Sequence, residues 1–465
     1  MCWFTLLARR LAHGPKEPPE RRLQPGLAAP QSGKLTLVPL VAATYFIVSG
    51  GPFGLEDIIS KSGYAGAILI LLITPVIWAM PTALMVAEMA SAFPEEGGYY
   101  IYVTRGLGRF WGFQEAWLSL VGSIFDMAIY PTLFVSYLGH FAPAVTSGWR
   151  SFAIGAGLIA LAALWNLLGV KVVGESSVAL GVLLLAPFAV LTVLALFHRA
   201  AGEAAHPAVQ HVALRNADIL GGILVAMWNY MGWDNTSTIA NDVDRPQRTY
   251  PLAMAASVTL IALTYVLPVA AMGATGLDPN RWSTGGWAEM AGAVIPGAMG
   301  AALALSITVA GMVASFGALN ALTLTLARLP VVLAEDGYLP KAFTRKNAAG
   351  APWVSTVVCA VAWALCLTLS FVKLIVLDVL LTGLSILLQF AALAALRIRE
   401  PQLPRPFRIP GGTVAAVGLG IPPLILLVMA ALRNQIEPIG PINALELGGI
   451  LIAAGAGLYF LKAGW

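Results

Sequence analysis

The chain has 465 residues, of which 58% are hydrophobic and only 11% charged, with a formal net charge of +4. A soluble domain carries about 25% charged residues, so the composition excludes a soluble globular protein and points to an integral membrane protein. The charge is no mark of a nucleic-acid binder, because the placement of the basic residues explains it better. Cys2, Cys359 and Cys366 make no disulfide framework and no zinc spacing.

Residues 1–35 mix Pro, Gly, Arg, Lys and Glu without periodicity and read as a disordered tail. Arg9 and Arg10 follow the weakly apolar opening instead of preceding it, the wrong order for a signal peptide. Apolar spans then fall at about 36–60, 65–91, 109–139, 149–169, 175–198, 218–243, 251–276, 287–332, 353–371, 373–397, 413–433 and 443–463, twelve in all. The third and eighth are longer than one crossing needs. With the amino terminus in the cytoplasm, 20 of the 27 lysines and arginines fall on that side and 7 on the other. By the positive-inside rule both termini are then cytoplasmic.

The first span is interrupted near its middle by Ser49-Gly50-Gly51-Pro52-Phe53-Gly54, followed by Glu56 and Asp57. Glycine exposes backbone and proline removes a donor, so a continuous helix is not expected there. The plain alternative is a glycine kink against a neighbouring helix. The sixth span repeats the pattern: Gly232 interrupts it, and Asp234, Asn235, Thr236 and Ser237 follow. Paired broken helices with polar groups at mid-membrane mark a transporter's binding site and suggest two inverted five-helix halves.

Acids inside spans supply the chemistry. Glu56, Asp57, Asp126 and Asp234 lie in the first, third and sixth spans, while lysine and arginine collect at span ends. A buried acid costs about 2.5–3.5 kcal/mol on insertion scales and needs a partner. Where the protein offers no counter-charge, a cationic solute can, and the same acids can carry protons; the alternative for each is a protonated carboxyl bonded to backbone. Amides freed at Gly50 and Gly51 can hold an anion, and carbonyls before Gly232 an ammonium. Phe53, Tyr230 and Trp233 border the breaks and can gate the cavity or stack on an ammonium. Glu88 reads as structural, paired with backbone or a loop arginine. No metal site, nucleophile–base pair or phosphate loop is visible, which disfavours an enzyme; the paired breaks disfavour a channel, and no terminus is long enough for a soluble signalling domain.

Three motifs then carry a resemblance. Pro94–Gly108 (PEEGGYYIYVTRGLG), Asn241–Pro251 (NDVDRPQRTYP) and Arg328–Lys341 (RLPVVLAEDGYLPK) resemble, in order and spacing, loop segments of the amino acid–polyamine–organocation transporter family. Ser49–Asp57, Ile129–Phe134, Val178–Leu183 and Trp233-Asp234 look most like its polyamine-uptake branch, related to L-type amino acid transporters. The resemblance implies an all-α membrane protein of twelve helices, a five-plus-five inverted-repeat (LeuT-like) core over 36–397 with helices 1 and 6 discontinuous, and two further helices in 398–465. It also implies proton-driven import of putrescine or spermidine at the cell membrane, with amino acids as the alternative substrate. Gly50 and Gly51 match the binding turn of helix 1, Gly232, Trp233 and Asp234 the unwound part of helix 6, and Asp126 a pocket position of helix 3. No cofactor is implied. Some proton-coupled members carry a lysine in helix 5; Val182–Pro187 has none, so the proton falls to an acid, or the ion is sodium with hydroxyls such as Ser315 as ligands. Gly139–Arg150 holds no cysteine, so no disulfide-linked partner subunit is expected.

Overall fold

The computed structural model describes residues 36–93, 97–168, 177–200, 218–237, 243–434, 438–439 and 441–463. The expected tail 1–35, the motif residues 94–96 and 241–242 and the end of the sixth span lie outside the described residues. The chain folds almost wholly into helices, as an apolar medium requires, because a helix satisfies its own backbone hydrogen bonds.

Helix α1 (Leu37–Val48) stops at the first break, and α2 (Glu56–Thr74) starts on its far side. Inside α2 the backbone turns at Gly63 (φ 66°, ψ 173°), so the first span ends there and the second begins. A wide turn at Pro75–Ala79 leads into α3 (Met80–Ala92). Next come α4 (Gly98–Leu107), α5 (Arg109–Leu138), α6 (Gly148–Leu167) and α7 (Ser177–Ala200). The second broken span opens with α8 (Ile219–Asn229), capped by Asp218, whose carboxylate accepts from the Gly221 amide at 3.0 Å. Then follow α9 (Pro246–Gly273), α10 (Trp287–Val294), α11 (Gly297–Leu326), α12 (Leu329–Glu335), α13 (Trp353–Leu365) and α14 (Phe371–Arg399). The chain ends with α15 (Gly412–Gly418), α16 (Ile421–Asn434) and α17 (Ala444–Ala463).

Among the described residues, eight helical stretches are long and apolar enough to cross a membrane, and Leu37–Val48, Gly181–Phe197 and Trp353–Thr368 are shorter apolar helices. The long eighth span of the sequence reading is three pieces: α10 turns at Ile295-Pro296 into α11, and α12 follows as a separate short helix. Proline at 296 cannot extend α10, which accounts for the corner. Helices α5 and α14 are the most enclosed, while α6, α16 and α17 present apolar side chains outward, among them Leu164, Leu432 and Leu461. Such an apolar exterior suits lipid, not water.

The loop motifs are tied to one another. Tyr100 of α4 donates to Asp336 after α12, and Arg105 grips Glu400 at the end of α14 at 2.7 Å. That guanidinium holds the Glu400 carboxyl below its usual range. Glu88 in α3 is fully buried, accepts from Arg397 (Nε, 2.6 Å) and the Ile409 amide (2.8 Å), and forms an ion pair with Arg405 (Nε, 3.2 Å). The loop arginine and backbone partner foreseen for Glu88 are both present, joined by Arg397 from the last turn of α14. Together they pin the 400–411 loop to α3.

Removing one member of a buried pair leaves a bare charge at a cost of about 3–5 kcal/mol. Glu88→Ala is therefore expected to lose most of its monodisperse peak in detergent gel filtration and to melt well below the parent. The double change Glu88→Leu with Arg397→Met should recover part of that loss.

Candidate functional site

The first break runs from Ser49 to Leu55, and Gly50 (φ +62°), Gly51 (φ +102°) and Gly54 (φ +87°) hold it in the left-handed region that glycine enters without strain. The second starts after Asn229, and Gly232 (φ +94°) turns the chain before one tight helical turn over 234–237. A methyl group placed on Gly232 would lie 3.0 Å from the Ile47 carbonyl oxygen and 3.7 Å from Val48 Cα. The two breaks therefore touch, and only a residue without a side chain fits between them.

Much of the exposed backbone is answered from within the protein. The Gly50 amide donates to the Tyr45 carbonyl (3.3 Å) and the Gly51 amide to Ser49 Oγ (3.1 Å). The Trp287 indole donates to the Pro52 carbonyl (2.8 Å), the Trp233 indole to Tyr230 O (2.8 Å) and the Tyr265 hydroxyl to Asn229 O (2.9 Å). The amides expected to hold an anion are thus engaged inside the break.

A cavity lies against both breaks. Its walls are Phe46, Ile47 and Val48 at the end of α1 with Ser49 of the first break; Trp228 and Asn229 at the end of α8 with Met231, Gly232, Asp234 and Asn235 of the second; Ser119, Ser123, Asp126 and Tyr130 of α5; Ala318, Leu322 and Leu326 of α11; and Asp378 and Thr382 of α14. Three carboxylates line this space, and among the described residues no lysine, arginine or histidine does. Their partners are neutral. Asp126 accepts from the Trp228 indole at 3.1 Å, Asp378 from Thr382 Oγ1 at 2.7 Å, and Asp234 Oδ2 from Gln389 Nε2 at 2.9 Å. Asp234 Oδ1 is buried with no hydrogen-bond partner among the described residues. Neutral donors soften the burial of a carboxylate but do not cancel its charge, so the cavity is built for a cation.

Of the residues singled out in the sequence, Asp126, Gly232 and Asp234 stand in this wall. Gly50 lies just behind it, with Ala318 Cβ 3.8 Å from where its side chain would start. Tyr230 and Trp233 border the break but are fully buried; the Tyr230 hydroxyl donates away from the cavity, to Leu71 O at 3.0 Å. Phe53 joins an aromatic layer with Tyr137 (5.1 Å) and Phe188 (5.0 Å), which meets Trp287 at 5.2 Å and closes one side of the break. Glu56 and Asp57 lie on that far side, outside the wall. Glu56 accepts from the Tyr137 hydroxyl and the Gly285 amide, and Asp57 from Thr284 at 2.8 Å, so the pair fastens α2 to the loop before α10. Ser315 donates to Gly311 O at 2.8 Å and is not in the wall. Asp378 and, behind the wall, Glu115 were missed. Each interrupts an apolar helix, and an acid at that depth is signal enough. Among the described residues no group of three or more His, Cys, Asp or Glu is arranged to hold a metal ion.

An amino acid permease family model matches residues 41–445, which takes in both breaks and every wall of the cavity. The chain belongs to the amino acid permease family. Among curated relatives, polyamine transporter PUT1 of Oryza sativa subsp. japonica is 34% identical over 421 residues, 90% of this chain and 77% of the relative. Polyamine transporter RMV1 of Arabidopsis thaliana is 32% identical over 430 residues, 92% of this chain and 86% of the relative. A probable polyamine transporter, also of Arabidopsis thaliana, is 35% identical over 435 residues, 92% and 87%. With its many apolar helices, this permease is a multi-pass membrane protein.

Gly232→Ala tests the junction. The added methyl meets the Ile47 carbonyl and a strained φ costs about 1–3 kcal/mol. The variant is expected to reach the membrane yet lose about tenfold or more of its uptake, read as transport per molecule in vesicles.

Proposed function

We propose that the permease is a secondary active transporter that imports a small organic polycation, a polyamine such as putrescine or spermidine, by alternating access. The carrying observation is the cavity in which Asp126, Asp234 and Asp378 meet with no lysine, arginine or histidine among the described lining residues. Alkyl amines with pKa near 10.4 are charged at neutral pH, so a polyamine brings two or more positive charges to three carboxylates and no carboxylate of its own. An α-amino acid needs a holder for its carboxylate, and the Gly50 and Gly51 amides are already bonded within the break. The names of the curated relatives support the same substrate class.

The wider reading is a twelve-span protein of the cell membrane with both termini cytoplasmic, whose first ten helices form two inverted five-helix halves. The two breaks that touch at Gly232 support that arrangement, since inverted halves bring their first helices together. Transport draws on an inward proton gradient; sodium is the alternative ion. The chain works without a cofactor, catalyses no covalent reaction and has no disulfide-linked partner.

Purified protein in liposomes is expected to take up labelled putrescine or spermidine saturably, with uptake raised by an inward proton gradient and not competed by alanine or leucine. Saturable alanine or leucine transport with no competition by putrescine would replace the polyamine reading with an amino acid one. In the same assay Asp234→Asn should abolish putrescine uptake while membrane expression persists; uptake that survives the change removes Asp234 as an amine ligand.

A further inference from the structure

Glu115 has no role in the cavity wall, yet it is one of the most thoroughly buried acids in the chain. It lies in the second turn of α5 and is 0% exposed. One oxygen, Oε1, accepts from Ser385 Oγ (2.9 Å), Ser119 Oγ (3.2 Å) and Gln389 Nε2 (3.4 Å). The other, Oε2, is buried and has no hydrogen-bond partner among the described residues. Among the described residues no lysine, arginine or histidine bonds to it. The titratable groups that face it are Asp234 beyond Gln389 and the Tyr99 phenol of α4; from α14 only the neutral Ser385 and Gln389 do.

Two features link this carboxyl to the site. Ser119, which bonds it, is also a wall of the cavity, so one hydroxyl separates Glu115 from the solute space. Gln389 spans the other gap: its amide nitrogen reaches Asp234 Oδ2 at 2.9 Å and Glu115 Oε1 at 3.4 Å, and its own carbonyl oxygen is buried and unpartnered. The assembly has bare acceptors on both carboxylates and on the amide between them. A proton on Glu115 turns its bare Oε2 from an acceptor into a donor, because a carboxylic acid donates where a carboxylate cannot.

We infer that Glu115 is the group that takes the driving proton, and that Gln389 transmits its state to Asp234. This rests on the proposed proton-coupled reading. A hydronium ion reaching the cavity passes its proton to the Glu115 carboxylate and is left as water. The new O–H bond breaks when the proton leaves to the opposite side. Charged Glu115 and charged Asp234 repel across one amide, so protonation of the first changes the hold of the second on an ammonium.

The test is Glu115→Gln in liposomes, read two ways. One coupled proton at a gradient of about one pH unit sustains about tenfold accumulation. The variant is expected to lose that accumulation and the pH dependence of uptake, while counterflow of labelled against unlabelled putrescine, which needs no proton movement, stays near the parent rate. Accumulation equal to the parent overturns the inference. Should the variant not fold, Glu115→Asp keeps a titratable group in altered surroundings and is expected to shift the pH profile; an unshifted profile overturns the inference. If the parent moves putrescine with no response to a proton gradient, Glu115 loses this role while the polyamine reading stands. If the parent accumulates an amino acid instead, the polyamine reading fails and the variant is judged on that solute.

Discussion

Inside a membrane a polypeptide cannot leave backbone groups without partners, and this chain twice interrupts a helix at depth. It does so by setting the two interruptions against each other at Gly232 and Ile47 and closing their open groups with side chains from elsewhere. Trp287, Trp233 and Tyr265 each donate to a break carbonyl, and Ser49 takes the Gly51 amide. The seam is therefore neither loose loop nor continuous helix. It is a closed corner, and the space beside it is bounded by five helices: α1, α5, α8, α11 and α14.

That corner sets the electrostatics. Three aspartates come from three separate elements, α5, the second break and α14, so none can relax away without moving its element. The donors that each receives are neutral; they orient it and leave its charge uncompensated. The described cations lie elsewhere, as in the buried Glu88–Arg397 pair that fastens the loop after α14. On the opposite side, Phe53, Tyr137, Phe188 and Trp287 form a dry layer backed by Glu56. Charge on one side of the breaks and an aromatic seal on the other give the site a direction, as alternating access needs.

The breaks were legible because glycine, proline and acids in an apolar run have few other meanings, and the same rule placed Asp126 and Asp234. The roles of Glu56 and Phe53 were not legible, because their partners, Gly285 and Phe188, are 229 and 135 positions away and no local pattern announces them. Tyr230 and Trp233 looked like ligands from their place beside Gly232, but the turn it creates rotates both rings into the core. Asp378 and Glu115 were visible as intramembrane acids, but neither sits in or beside a glycine break. The length of the eighth span misled because the corner at Ile295-Pro296 is as apolar as the helices it joins.

The central claim is that the aspartates grip a solute by its ammonium groups at the seam between the breaks. The most direct measurement is an experimental density map of the purified protein saturated with putrescine. The account predicts an elongated density along the cavity, one end against Asp234 and the other against Asp126 and Asp378. Putrescine seated outside that cavity, or with its ammonium groups directed at Glu56 and Asp57, would contradict it.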